Sequence, residues 1–597
     1  MYLSKCSQEQ NKQGEIINKI TKQCVAAVAS LAMAGTLCVA GAVVAGSSAW
    51  AETPAACDAS KAPWDQTNQK CVGSIEIDKY KDELNSQDKQ AKQTGVAGAK
   101  FRVTPVNKIN GTDINLKQYD DWLKVAAKVS ALNANPSSLS DGDLGTAVQN
   151  PAPAAGETDK TLFTTGSNGK VTISNLPIGL YKVEEVAAAE NYSNDVAPFF
   201  MTVPEITRAE KATNNSYKYE VKVEPKNAYI KDNVTKTADT TKTVGSGDEI
   251  TYTIKAKLNK TKATNGKDLT KDDLLDFAIY DDVQTAAYQN VSDAIINKVK
   301  INGEQNDMTK GNDEDYVVSS EVGTGTNGIE NGRTRYKVTF KDKGLKAIAA
   351  KANTLNTKPV EIDVTVKFTL AKDLSSFIAK GLKNESGFIP GHGKGIEPKP
   401  TPGGSETTKF VKFQIKKVNG TDGKSPLSGA KFAIFANKDQ ADACVKANDR
   451  TNCTGATANF VNAENGTGTD GIATGAAANS AFEVKVTNAQ QPFYVVETVA
   501  PKGFVLSPKV EQVVARNTAD PAGGSTDGGH YDADKATFTY TFKDLPNGGP
   551  DGGDNWFKLP KTGAAGVIIF ALIGLGLVGS GMFVFLKNRK KEEEQAA

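Results

Sequence analysis

Near its C-terminus the chain carries an uncharged, mostly apolar run from Val567 to Leu586, followed at once by Lys587, Arg589, Lys590 and Lys591. About 20 residues of helix rise about 30 Å, the thickness of a bilayer's hydrocarbon core. The cationic cluster is costly to draw through lipid and holds the tail inside. Residues 564–586 are therefore expected to span the membrane, 587–597 to form a basic cytoplasmic tail, and the long segment before them to fold outside. A plain membrane anchor accounts for the span and the charges. It gives no reason for Leu559-Pro560-Lys561-Thr562-Gly563 just outside the membrane.

The other end also points to export. Residues 1–51 have the layout of a signal peptide: Lys5, Lys12, Lys19 and Lys22, an Ala-rich apolar stretch from Val25 to Val44, then Ala49-Trp50-Ala51 as a small-x-small cleavage site. An uncleaved anchor is the plainer alternative. The Ala-x-Ala ending and the polar segment after it favour cleavage. Removal of the signal takes Cys6, Cys24 and Cys38 with it and leaves Cys57, Cys71, Cys444 and Cys453. Exported thiols tend to pair, and proximity favours Cys57–Cys71 and Cys444–Cys453, free thiols being the alternative. Such short loops cannot hold domains together.

The 597 residues leave room for several domains. Lys plus Arg is 71 against 69 for Asp plus Glu, so no broad basic field is available for nucleic acid. The two histidines, His392 and His530, are far apart, and no His/Cys group has ligand spacing, so neither a metal nor a cofactor is expected. No Gly-x-Ser-x-Gly elbow, His-Glu-x-x-His helix or triad supports a secreted hydrolase. Gly (54) and turn-forming polar residues abound, as many short strands require.

Period-two alternation recurs along the chain, and three tandem β-sandwiches are expected. The first runs over 52–227, with strands at Ser74–Lys79, Ala97–Val103, Gly169–Ile173 and Leu180–Glu185, and a helical excursion over 112–132. There Leu116, Tyr119, Trp122, Leu123, Ala126 and Val129 share a face expected to pack. A middle sandwich follows over 228–390, with minor helical pieces near Leu274 and Leu345. Residues 391–406 are rich in Gly and Pro and predict a linker. The third sandwich covers 407–546 and partly repeats the first: Gly429-Ala430-Lys431-Phe432 echoes Gly98-Ala99-Lys100-Phe101. Residues 547–558 form a stalk before the pentapeptide at 559–563.

Leu559-Pro560-Lys561-Thr562-Gly563, the apolar span and the basic tail together resemble the sorting signal of Gram-positive surface proteins. The resemblance implies that a sortase's cysteine cuts between Thr562 and Gly563, leaving an acyl-enzyme at Thr562. Tyr494-x-Val496-Glu497-Thr498-x-Ala500-Pro501-x-Gly503-Phe504 resembles the Glu box of the self-crosslinking immunoglobulin-like domains of sortase-assembled pili and collagen adhesins. Such domains join a Lys to an Asn or Asp beside a proton-carrying acid, which implies Lys417 with Asp544 and Glu497 in a SpaA-like, prealbumin-like third domain. Lys416 would point to the other strand face.

The same resemblance implies Lys79 with Asn227 and Glu185 in the first domain, on the partial box Tyr181-x-Val183-x-Glu185. In the middle domain it implies Asp281 as the acid, Asn384 as the amide and Lys236 as the amine, with Lys231 the alternative amine. Tyr217-x-x-x-Val221-x-Val223-Glu224-Pro225-Lys226-Asn227 resembles the pilin motif of backbone subunits, with Glu224 where Tyr is usual. It implies that Lys226 is the polymerisation lysine.

The whole chain is thus similar to a backbone (major) pilin: all-β, tandem immunoglobulin-like, a sortase substrate rather than an enzyme, secreted and anchored to the wall. The partners implied are a pilin-specific sortase, other copies of the chain, tip or accessory pilins, peptidoglycan and a host or surface ligand. A monomeric wall-anchored adhesin built from the same domains is the rival.

Overall fold

The computed structural model describes residues 54–547 apart from 195, 211, 290, 458, 459, 461–465, 476–481 and 522–525. The signal, the sorting motif 559–563 and the apolar run 564–586 lie outside the described residues.

Strand formation follows the alternation. Along Glu361–Leu370 every second side chain is inward, and Ile362, Val364, Val366, Phe368 and Leu370 are all buried. Glu249–Lys257 pairs with it antiparallel and buries Ile250, Tyr252, Ile254 and Ala256. β-Branched and aromatic residues on one face and charges on the other is what a half-buried strand requires.

Three sandwiches result. In the first, a three-stranded sheet (Glu220–Val223, Val72–Asp78, Lys170–Pro177) faces a four-stranded one (Phe199–Val203, Gly179–Ala187, Lys100–Val106, Phe163–Thr164) around Ile75, Ile77, Phe101, Val103, Ile173 and Val183. The middle sandwich packs two five-stranded sheets around one large core. In the third, the sheet built on Phe410–Asn419 and Thr537–Asp544 faces Lys431–Phe435, Phe493–Val499 and Val510–Val513.

In the first and third domains the opening and closing strands are neighbours and run parallel. Ile75 pairs with Val221, Lys226 with Tyr80, and Asn419 with Asp544.

The stretch 391–406 is not a linker. Thr401–Thr408 is the edge strand of the middle domain, paired antiparallel with Leu382–Ile389. His392 is buried, and Asn259 clamps Gly391 with two hydrogen bonds of 2.9 Å. The glycines serve close approach rather than flexibility. Gly404, at φ +69°, lies where a Cβ would stand 2.9 Å from the Thr235 carbonyl carbon and 3.0 Å from the Lys236 nitrogen.

The helices also differ from expectation. The excursion in the first domain spans Tyr119–Ala134, with Thr112–Asp113 a short strand before it. Its packed face is Val125 and Leu132 with Trp122 and Val129, whereas Tyr119 and Leu123 are each 55 % exposed. In the middle domain Asp342–Leu355 is a helix of 14 residues whose Leu345, Ile348, Ala349 and Ala352 belong to the core.

Both short cysteine loops are closed: Cys57–Cys71 with S–S 1.97 Å and Cys444–Cys453 with 1.94 Å. The first closes the loop that carries Trp64. The second ties the helix Lys438–Lys446 to the loop that follows it. The middle and third domains meet through a β-bridge between Gly245 and Val484. Lys485 Nζ donates to Thr240 and the Thr457 hydroxyl donates to Asp248 across the same joint.

Candidate functional site

Each sandwich encloses one lysine with an acid and an Asn or Asp, all of them buried. In the first domain Lys79 directly follows the strand Val72–Asp78, and Asn227 ends the two-residue strand that runs beside Tyr80–Lys81. Glu185 comes from Gly179–Ala187 in the facing sheet. Lys79 Nζ donates to Asn227 Oδ1 at 2.7 Å and stands 3.0 Å from Glu185 Oε2, while Asn227 Nδ2 donates to Glu185 Oε1 at 2.8 Å. One carboxyl thus touches both the amine and the amide nitrogen. This geometry lets a single group take a proton from an attacking amine and hand one to a departing nitrogen.

The third domain repeats the layout. Lys417 lies on Phe410–Asn419, Asp544 ends Thr537–Asp544 beside it, and Glu497 faces them from Phe493–Val499. Lys417 Nζ is 2.6 Å from Glu497 Oε1 and 3.2 Å from Asp544 Oδ2. Both contacts are within ion-pair distance, and all three groups are buried. Glu497 Oε2 accepts the Ser507 backbone N–H at 2.7 Å. Burial raises Glu497 to about 7 against the pull of Lys417, and burial likewise raises Asp544. Lys416 is exposed on the opposite strand face.

The middle domain is arranged differently. Lys236 belongs to Val234–Asp239 in one sheet; Asp281 and Asn384 lie on adjacent antiparallel strands of the other. Lys236 Nζ is 2.7 Å from Asp281 Oδ1, and Asn384 Nδ2 donates to Asp281 Oδ2 at 3.4 Å. Desolvation lowers the Lys236 amine and raises the Asp281 carboxyl, both toward their neutral forms. Lys231 is exposed. Asn384 lies on the penultimate strand of its domain, because Thr401–Thr408 follows it.

An aromatic ring covers each lysine. Phe101 lies 5.7 Å from Lys79 Nζ, Tyr252 lies 5.1 Å from Lys236 Nζ, and Phe432 and Phe542 lie 5.7 and 4.1 Å from Lys417 Nζ. Sequence reasoning missed these rings. The signal was present: Phe101 and Phe432 are the last residues of the repeated Gly-Ala-Lys-Phe pieces.

Lys226 is half-buried one residue before the fully buried Asn227, since successive strand residues face opposite ways. Burial holds its amine below the usual lysine value, against the fields of Asp82 and Glu224. Lys92 and Glu224 form an ion pair beside it. Thr562, its implied partner, lies outside the described residues. Among the described residues no group of His, Cys, Asp and Glu could hold a metal ion.

Comparison with known proteins accords with this architecture. The prealbumin-like fold domain model named SpaA matches residues 83–218, within the first domain rather than the third. The LPXTG cell wall anchor motif matches residues 557–593. The type 1 fimbrial subunit of Actinomyces viscosus is 26% identical over 552 residues, covering 88% of this chain and 90% of that one. The type 2 fimbrial subunit of Actinomyces naeslundii is 25% identical over 567 residues, covering 89% and 92%. Domain, anchor and relatives together support a sortase-assembled backbone pilin. The anchor motif and the fimbrial relatives support a cell-wall-anchored surface location. The solved full-length major pilin SpaD from Corynebacterium diphtheriae is similar over 80% of this chain and 99% of its own, at 19% identity and a TM-score of 0.47.

Proposed function

We propose that the chain is the major structural subunit of a covalent surface pilus that supports adhesion, that it closes three internal isopeptide bonds, and that a pilin-specific sortase joins Lys226 of one copy to Thr562 of the next. The observation that carries this is the recurrence of a buried lysine, acid and Asn or Asp in every sandwich. Buried charges are costly to desolvate even when paired, and converting the amine and its partner into one neutral amide removes the lysine's charge.

In the first domain Lys79 Nζ attacks Asn227 Cγ. A C–N bond forms as the bond to Nδ2 breaks, and Glu185 relays the proton so that ammonia leaves. Asp281 does the same for Lys236 and Asn384. In the third domain Glu497 serves Lys417 and Asp544, and the leaving group is water. For polymerisation, the sortase thiolate expels Gly563 as an amine from Thr562. Lys226 then attacks the thioester carbonyl, forming the amide and releasing the thiol.

The mass of the secreted portion tests the internal bonds. It should fall short of the sequence mass by two ammonia and one water, beyond the hydrogens of the two disulfides. An unmodified mass overturns all three bonds. Lys226→Ala tests the external one: high-mass ladders should vanish. Ladders that persist, or a wild type that forms none, favour the monomeric adhesin or a different lysine.

A further inference from the structure

Two exposed apolar patches stand at the two ends of the proposed bond between copies. Val505, Leu506 and Leu545 are 45, 37 and 55 % exposed. The Val505 N–H donates to the Leu545 carbonyl at 2.9 Å, and Phe504 bridges Pro546, so the three form one surface. It lies where the chain leaves the third domain toward Thr562. At the other end Tyr229, 40 % exposed and three residues beyond Lys226, meets Tyr192 edge-on at 5.2 Å and bridges to it.

We infer that these surfaces meet in the polymer, the apolar end of the third domain of one copy seating on the Tyr192–Tyr229 pair of the next. The inference rests on the Lys226–Thr562 linkage. From Asn547 to Thr562 the chain extends at most about 50 Å at roughly 3.4 Å per residue. Such a tether raises the effective concentration of the second contact to the millimolar range. Patches far smaller than a free-standing interface needs then suffice.

Lys81 Nζ stands over the Tyr229 ring at 5.6 Å and pairs with Glu83 at 3.9 Å, so the tyrosine end carries both signs of charge and the seating is carried by the apolar surfaces and the tether.

Hydrogen exchange on pili assembled from the full-length chain tests this. Amides of 226–232 and 503–507 should exchange about tenfold more slowly in wild-type pili than in the single chain. Val505→Asp with Leu506→Asp should abolish that difference, as should Tyr229→Ala, while the Lys226–Thr562 peptide and the internal mass loss remain. Wild-type pili that carry this peptide without the protection overturn the seating and leave the linkage standing. Absence of the peptide overturns the linkage, and the seating with it.

Discussion

Glu497 shows why one residue type recurs in these cores. Buried beside Lys417 and Asp544, it is raised to about 7 by desolvation, so it keeps its proton where an exposed glutamate would have lost it. Before the bond forms, the folded domain binds that proton more tightly than the unfolded chain. Its stabilising contribution is therefore full at acid pH and is lost as pH rises from the ordinary glutamate value through about 7. A proton relay needs the protonated form, so closure of the third domain should slow as pH climbs through about 7. Folding newly synthesised chain, kept denatured and still unlinked, at a series of pH values and weighing it at intervals measures this; a rate that rises through that window rejects Glu497 as the acid. Glu497→Gln keeps the volume and removes the relay. The variant should retain the water that wild type loses and unfold about 4–5 kcal/mol more easily, the chain-entropy worth of closing a loop of more than a hundred residues.

At the scale of elements, much was legible because alternation and box residues are local signals. The strands that carry Glu185, Lys417 and Asp544, and the one that Lys79 directly follows, are legible from period two and from the spacing of the box. What was not legible came from tertiary contact. Pro398 to Gly404 has the composition of a linker, yet the glycines face the backbone of Val234–Asp239, and the Ser386 hydroxyl donates to the Gly403 and Gly404 carbonyls at 3.0 and 2.9 Å. Composition cannot distinguish flexibility from close approach. The packed face of Tyr119–Ala134 is hidden from the sequence for a similar reason. Trp64, brought up by the disulfide loop, meets Tyr119 at 4.9 Å from outside the helix, and no pattern within the helix announces it. Gly404→Ala tests the close approach. A Cβ there meets the backbone of Thr235 and Lys236 at a left-handed φ, so a loss of about 1–3 kcal/mol is expected in thermal unfolding. The middle-domain bond should also form more slowly, because Lys236 is displaced. A neutral substitution would mean that Thr401–Thr408 is dispensable as an edge strand.

For the whole molecule the proposed linkages set where tension runs. Pulling on a pilus would load each copy between Lys226 and Thr562, so residues before Lys226 lie outside the path. Lys79–Asn227 then fastens the first domain to the path without bearing load, although it is built like the others. Beyond Lys226 the load reaches Lys236, crosses between the sheets to Asn384, and continues to Lys417 and Asp544. With the proposed bonds closed, both sandwiches in the path are short-circuited covalently, and neither unravels between its linked residues. Single-pilus stretching separates these roles. Lys236→Ala should add an unfolding step of roughly 500 Å per copy, since nearly 150 residues are released at about 3.4 Å each. Lys417→Ala should add a step of about 430 Å by the same measure. Lys79→Ala should leave the trace unchanged while lowering the thermal stability of the first domain. A long step from Lys79→Ala would mean that force enters upstream of Lys226, and the head-to-tail linkage through that lysine would have to be abandoned.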